Sequence, residues 1–172
     1  MSADRVTDKP TPAFATAADA VMHSAHLAAV VESSLDAIVS MSLEGRIQSW
    51  NAGAAALYGY QVHEVLGRSI LLIIPEELHA EELQLLERIR AGERIEHFDT
   101  TRKAKDGRRL PISLTISPIR DAKGIVIGAS KIARDISERK TEFDALAKLN
   151  DLSSRLWRSR ALKEGLTKCS PR

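Results

Sequence analysis

The chain has 172 residues, 44% of them apolar, 28% charged and 4% aromatic, which allows one domain with a core of Leu, Ile, Val and Ala plus terminal extensions. No apolar run approaches the roughly 20 residues that span a bilayer, the N-terminus has no basic start followed by an apolar stretch, and the single Cys169 can close no internal disulfide, so a cytoplasmic protein is expected. The net charge of +2 is uneven: residues 1–135 hold 16 basic and 18 acidic side chains and residues 136–172 hold 9 and 5, an excess that reads as a solvated helical face rather than a nucleic-acid-binding one.

Residues 1–17 contain Lys9-Pro10-Thr11-Pro12 and several small residues, the composition of a flexible arm. Over residues 18–34, Val21, Ala25, Ala28 and Val31 recur at helical spacing, which predicts an amphipathic N-terminal helix. Residues 37–41 and 46–50 read as two short strands about the turn Leu43-Glu44-Gly45. Asn51 ends the second strand and is a good N-cap for a helix over 52–58; capping accounts for it without a ligand. His63-Glu64-Val65-Leu66-Gly67 is a further short helix with a glycine stop. Residues 70–74 form an apolar connector into Pro75-Glu76-Glu77, which opens the longest core helix. Leu78, Leu85, Leu86 and Ile89 mark its buried stripe, and Gly92 ends it.

The next stretch is the most regular. Leu110, Ile112, Leu114 and Ile116 point one way and Pro111, Ser113, Thr115 and Ser117 the other, the pattern of a strand with one buried face. Lys105-Asp106-Gly107 before it supplies a hairpin turn, so residues 95–104 are its antiparallel neighbour. Asp121-Ala122-Lys123-Gly124 turns the chain again into residues 125–133, which are rich in β-branched side chains. With the two early strands this makes an α+β domain over 35–136, a five-stranded antiparallel sheet with helices over one face. Beyond it Phe143, Leu146, Leu149, Leu152 and Leu156 follow at intervals of three or four, and no Pro or Gly intervenes before Gly165. A helix over 137–164 is too long to fold back on so small a core. It is expected to leave the domain and pair with a second copy, followed by a tail over 165–172.

In order along the chain, Gly45-Arg46-Ile47, Trp50-Asn51-Ala52, Tyr58-Gly59-Tyr60, Glu64-Val65-Leu66-Gly67, Ile74-Pro75, Lys105-Asp106-Gly107, Pro118-Ile119, Gly124, Gly128 and Arg134-Asp135-Ile136-Ser137-Glu138-Arg139 resemble the PAS sensory domain of bacterial signalling proteins. The resemblance covers about residues 24–140. It implies a pocket between sheet and helices that holds a cofactor or metabolite or is filled by side chains. Strand and helix parity then suggest Ile38, Ile47, Tyr58, His79, Leu86, Ile112, Leu114, Ile127 and Ala129 as its lining. Arg134, Asp135, Ile136, Ser137 and Glu138 look like the junction that carries a signal from the last strand into an output helix. Residues 149–157 look like the linker that leads, in sensor histidine kinases, to a further domain.

The resemblance therefore implies a non-catalytic sensory module, a homodimer through its terminal helices, that serves a downstream signalling domain or kinase. Two alternatives are the input fragment of a sensor histidine kinase whose catalytic part is absent and a haem-based gas or redox sensor. The photoreceptor branch carries a reactive cysteine after Gly-Arg-Asn; here the residues are Gly67-Arg68-Ser69-Ile70, so flavin adduct chemistry is not expected. His79 on the long helix is the one candidate haem ligand, although the haem branch places its ligand nearer Glu81 or Glu82. No metal site is expected otherwise, and the pocket's ligand stays open. Lys131 is read as facing outward and His97 as partly exposed on the sheet. Trp50 and Tyr58 are read as packing residues, and Glu81, Glu82 and Glu87 as lacking any paired geometry. No nucleophile with its base, phosphate loop or metal cluster is present to suggest an enzyme.

Overall fold

A computed structural model describes residues 17–143 and 146–149. Helix α1, Ala17–Glu32, leads into β1, Ala37–Ser42, and β2, Ile47–Trp50. Helices α2, Ala52–Tyr58, and α3, Val62–Val65, follow, then two 3-10 turns over Ile70–Ile73 and Glu76–Leu78. Helix α4, His79–Arg90, returns the chain to the meander β3, Ile95–Lys103, β4, Arg109–Arg120, and β5, Val126–Asp135. All strands pair antiparallel in the order β2-β1-β5-β4-β3. The last strand thus lies at the centre of the sheet, held on both sides, and it is the strand that runs on into the C-terminal residues.

Each boundary has a local cause. Asn51 caps α2 by accepting a hydrogen bond from the Ala54 amide, and Gly59, at φ 78°, closes that helix in the left-handed conformation that glycine adopts without a Cβ clash. Gly53 answers a different demand: a Cβ there would lie 2.4 Å from the Asp36 carbonyl oxygen and 2.7 Å from that of Ser34. Gly53→Ala gains about 1 kcal/mol of helix propensity but must push α2 off the chain leading into β1. It is expected to destabilise the domain by about 2 kcal/mol net, given overpacking costs of about 1–3 kcal/mol. Urea unfolding checks this, and an unchanged or higher midpoint would show that α2 is not seated so closely.

The inward face of the sheet carries Ala37, Val39 and Met41 of β1, Ile112, Leu114 and Ile116 of β4, and Ala129 and Ala133 of β5, packed against Tyr58, Ile70, Ile73, Leu85, Leu86 and Ile89. Two expected pocket residues are elsewhere. Ile38 alternates with the buried Ala37, Val39 and Met41, so it falls on the outer face with Ser40 and Ser42, where it pairs with Ile132. Ile127 has the inward parity but lies beyond Gly128, where pairing with β1 ends, and is 52% exposed. Lys131 is also corrected: it shares the parity of Ala129 and Ala133 and is buried.

Helix α1 forms where expected, yet the side chains of residues 18–33 are all exposed, Val21, Met22, Leu27 and Val30 among them. After β5, residues 137–143 and 146–149 are helical, with Phe143, Leu146 and Leu149 exposed. Leu152 and Leu156, the remaining members of the expected seam, lie outside the described residues, as do the N-terminal arm and the tail.

Candidate functional site

Helix α4 crosses the inward face of the sheet and sets Glu82 on its buried stripe, four residues after Leu78 and three before Leu85. The Glu82 side chain is fully buried. An isolated carboxylate in such a place would be very costly, and the structure answers with two cations. Lys131 of β5 donates through Nζ to Glu82 Oε1, and Arg102 of β3 reaches Glu82 Oε2 from Nη2 at 3.4 Å. Arg102 Nη1 donates to Thr100 Oγ1 at 3.1 Å and to the Thr101 carbonyl at 3.0 Å. The Thr100 hydroxyl donates in turn to Glu81 Oε1 at 3.0 Å, and Glu81 lies 3.8 Å from Arg102 at the rim of the domain. These are the paired carboxylates that the sequence reading did not foresee.

The charges do not balance inside. Arg102 and Lys131 are 2% and 5% exposed, whereas only one of the two carboxylates is fully enclosed. Desolvation accordingly holds the Lys131 amine below the ordinary lysine range, with Glu82 opposing the shift and Arg102 adding to it. Burial pushes the Tyr58 phenol well above its usual range, so it remains an O–H at any working pH.

A cavity with about 10 Å³ of free space lies beside this cluster. Tyr58, Arg102 and Lys131 line it together with Val39, Ile73 and Leu114. Of the expected lining residues, Tyr58 and Leu114 are there. Ile47, Leu86, Ile112 and Ala129 are in the core but not on the cavity wall. His79 is half-buried, its Nε2 lies 3.1 Å from the Ile74 carbonyl oxygen, and it does not reach the cavity. His79 therefore does not serve as a haem ligand in this interior, and neither haem nor flavin fits a space of that size crossed by the Glu82 cluster.

The expected output residues are brought together at the end of β5. Arg134 donates from Nε and Nη2 to the two Asp36 carboxylate oxygens at 3.0 and 2.7 Å, which ties the end of β5 to the start of β1. The same hydrogen bonds hold the Asp36 carboxyl below its usual range. Asp135 Oδ1 accepts the Ser137 amide at 2.8 Å, as a helix cap does. Ile136 is buried and its amide donates to the Pro111 carbonyl, while Glu138 is exposed and Arg139 reaches Asp99 of β3. The first turn after β5 is thus fastened to β4 and β3.

The central strand of the sheet thus runs on into a helix, beneath a roof that carries buried polar groups. The family pattern described as PAS fold matches residues 25–136, and the chain belongs to that family. Over 122 residues it is 33% identical to Two-component system protein A of Emericella nidulans, covering 70% of this chain and 18% of that protein. Over 126 residues it is 25% identical to the signal transduction histidine-protein kinase AtoS of Escherichia coli, covering 73% of this chain and 20% of the kinase. The chain thus spans about a fifth of the length of these curated relatives. Among solved structures, the PAS domain of a protein from Colwellia psychrerythraea matches with a TM-score of 0.62 at 25% identity, over 67% of this chain and 98% of that one.

Proposed function

We propose that the chain is a non-catalytic, cytoplasmic sensory module that takes up a small ligand or partner between the sheet and α4 and passes the change through β5 to its C-terminal helix, as a homodimer. One observation carries this reading: Glu82 of α4 holds Lys131 in the middle of the central strand, four residues before that strand ends at Asp135. A ligand that favours one arrangement of this contact over another shifts β5, and with it the fastened turn Arg134–Glu138. Only such differential binding can move the output.

Dimerisation through the terminal helices is supported by the apolar side chains of α1, by Phe143, Leu146 and Leu149, which are exposed at helical spacing, and by the continuation of that seam in the sequence. Sedimentation of the whole chain should give the mass of a dimer, and a chain ended at residue 136 should dissociate at the same concentration. Equal masses for the two would rule out the C-terminal helix as the main contact.

The two named relatives, a two-component system protein and a signal transduction histidine-protein kinase, are several times longer than this chain, which supports a second reading as the input part of a histidine kinase. In either case the partner downstream is a kinase or another signalling domain.

A further inference from the structure

The chain enters β1 and leaves β5 at one end of the sheet, where Ala37 pairs with Ala133; the other end, where Ser42 pairs with Gly128, is formed by the β1–β2 turn, the β4–β5 turn and the last turn of α4. Three arginines at this far end are fixed by backbone carbonyls. Arg90 Nη2 donates to the Leu43 carbonyl at 2.6 Å, and Arg46 Nη1 to that of Gly67 at 3.1 Å. Arg120 donates from Nη1 to the Gly124 carbonyl at 2.9 Å and from Nη2 to that of Gly92 at 3.3 Å. A Cβ on Gly92 would lie 2.5 Å from the latter nitrogen, so glycine makes room for it. These arginines and Lys123 are exposed, and among the described residues none of the four forms an ion pair. The carboxylates of this end are engaged elsewhere: Glu93 pairs with Arg88, Glu96 with Arg94, and Asp121 Oδ1 accepts the amides of Lys123 and Ile125. Glu44 is held chiefly by the Ser42 hydroxyl, with smaller pulls from Arg90 and Arg46. The dipole of α4 favours a cation at Arg90, but Arg46, Arg120 and Lys123 come from the two turns and owe nothing to it.

Two isoleucines stand among these cations, Ile125 at 60% and Ile127 at 52% exposure. Ile127 precedes Gly128, which pairs with Ser42 on one side and Ile119 on the other. It therefore sits between Leu43, where Arg90 is anchored, and Arg120. We propose that this end of the domain docks an acidic segment of a partner protein, one that sets carboxylates against Arg46, Arg90 and Arg120 around an apolar side chain packed on Ile125 and Ile127. Arginine beside exposed aliphatic surface is the composition of a protein interface core. Guanidiniums already held in place lose little freedom when a carboxylate pairs with them. A nucleic acid would use the cations and leave the isoleucines in water. The surface joins the end of α4 to the start of β5, the two elements that meet at Glu82 and Lys131, and it lies at the opposite end of the sheet from the helix after β5. A partner bound here leaves that helix free. The proposal goes beyond the sensory reading of the interior and does not depend on it.

The probe is a fluorescein-labelled peptide of repeated Glu-Glu-Leu, titrated with the whole chain and followed by fluorescence anisotropy, with a peptide of repeated Glu-Glu-Ser alongside. Saturable binding of the first, tighter than that of the second, is expected. Ile127→Ser alters no charge and shortens only an exposed side chain; it should weaken binding of the Glu-Glu-Leu peptide about fivefold to tenfold, and Arg90→Gln should do the same. Arg46→Gln takes the place of Arg90→Gln if thermal unfolding shows that the latter has disturbed α4. Absence of saturable binding overturns the proposal. So does binding that Ile127→Ser and the arginine variant both leave unchanged, which would place the peptide on the basic residues 136–172. Vesicles of phosphatidylcholine and phosphatidylserine and a labelled single-stranded DNA complete the comparison. If either binds more tightly than the Glu-Glu-Leu peptide and shows the same loss in the variants, the surface belongs to a membrane or a nucleic acid and the protein partner is overturned.

Discussion

Glu82→Ala should lower the stability of the domain by about 3–5 kcal/mol, the usual cost of removing one partner from a buried ion pair. The loss is set by what stays behind: Lys131 and Arg102 would be enclosed with no carboxylate except Glu81, which reaches Arg102 from the rim at 3.8 Å. Domains of this size hold about 5–15 kcal/mol in total, so the variant would be marginal. The converse change is expected to be milder. Lys131→Met leaves Glu82 paired with Arg102, and should cost about 1–2 kcal/mol, less than Glu82→Ala, because the enclosed carboxylate keeps one charged partner. Urea unfolding of both variants decides the matter; equal losses would mean that Arg102 alone does not keep the carboxylate paired. The pH dependence has a definite sign. Because desolvation lowers the folded-state pKa of Lys131, the unfolded chain binds more protons between that lowered value and the ordinary lysine range. Stability of the native chain should therefore rise with pH across that window, and the rise should be missing in Lys131→Met. Glu82, Arg102, Glu81 and Tyr58 face the amine, and Tyr58 does not titrate in this window, since burial pushes its phenol higher still.

The second large effect is expected from Asn51→Ala. Asn51 is buried and uses its whole amide: Oδ1 accepts from the Ala54 amide at 2.8 Å and the Ile38 amide at 2.9 Å, and Nδ2 donates to the Val31 carbonyl at 2.9 Å and the Asp36 carbonyl at 3.1 Å. It therefore joins the end of α1, the start of β1 and the first turn of α2. Alanine would lose an N-cap, worth about 1 kcal/mol, and leave further buried backbone groups without a partner, at about 1–3 kcal/mol each where water cannot reach. A net loss of about 3 kcal/mol is expected. Asn51→Asp should recover only part of it, since a carboxylate keeps both accepted bonds but sets an oxygen against the Val31 and Asp36 carbonyls. Hydrogen exchange gives the local check. The Ile38 and Ala54 amides should lose protection in Asn51→Ala well beyond the change in global stability; unaltered protection there would refute the staple role.

Asn51 also shows how far a local pattern reaches. Its capping role was plain from its place before a helical run, but capping explains one of its four hydrogen bonds. The other three depend on Val31, Asp36 and Ile38, which come to it only through the pairing of β1 with β2. Lys131 is a related case. Its alternation with Ala129 and Ala133 already placed it inward, and its charge argued for the outer face. Charge is a poor guide to facing when a counter-ion waits inside, and that counter-ion lies 49 residues away on α4. Glu82 likewise sat at a core position of the helical period, four residues after Leu78, without anything nearby in the sequence to pair with it. Ile38 was misplaced for want of a sharp contrast, because both faces of β1 carry apolar side chains.

From the sequence alone came the order of elements, the hairpin turns at Asp106-Gly107 and Asp121–Gly124, the buried face of β4, the α2 cap and the junction from Arg134 to Glu138. All of these follow from periods of two or of three to four residues and from backbone demands within a few positions of one another. Only the tertiary structure decided that β5 lies at the centre of the sheet, that Arg102 and Lys131 meet at Glu82, and that the interior is nearly closed and walled by donors. Those features join residues far apart in the chain, 20 and 49 at the Glu82 contacts and up to 96 where Ala37 meets Ala133, and the ion-pair energies come from desolvation and charge pairing, which depend on what surrounds a group rather than on what precedes it in the chain.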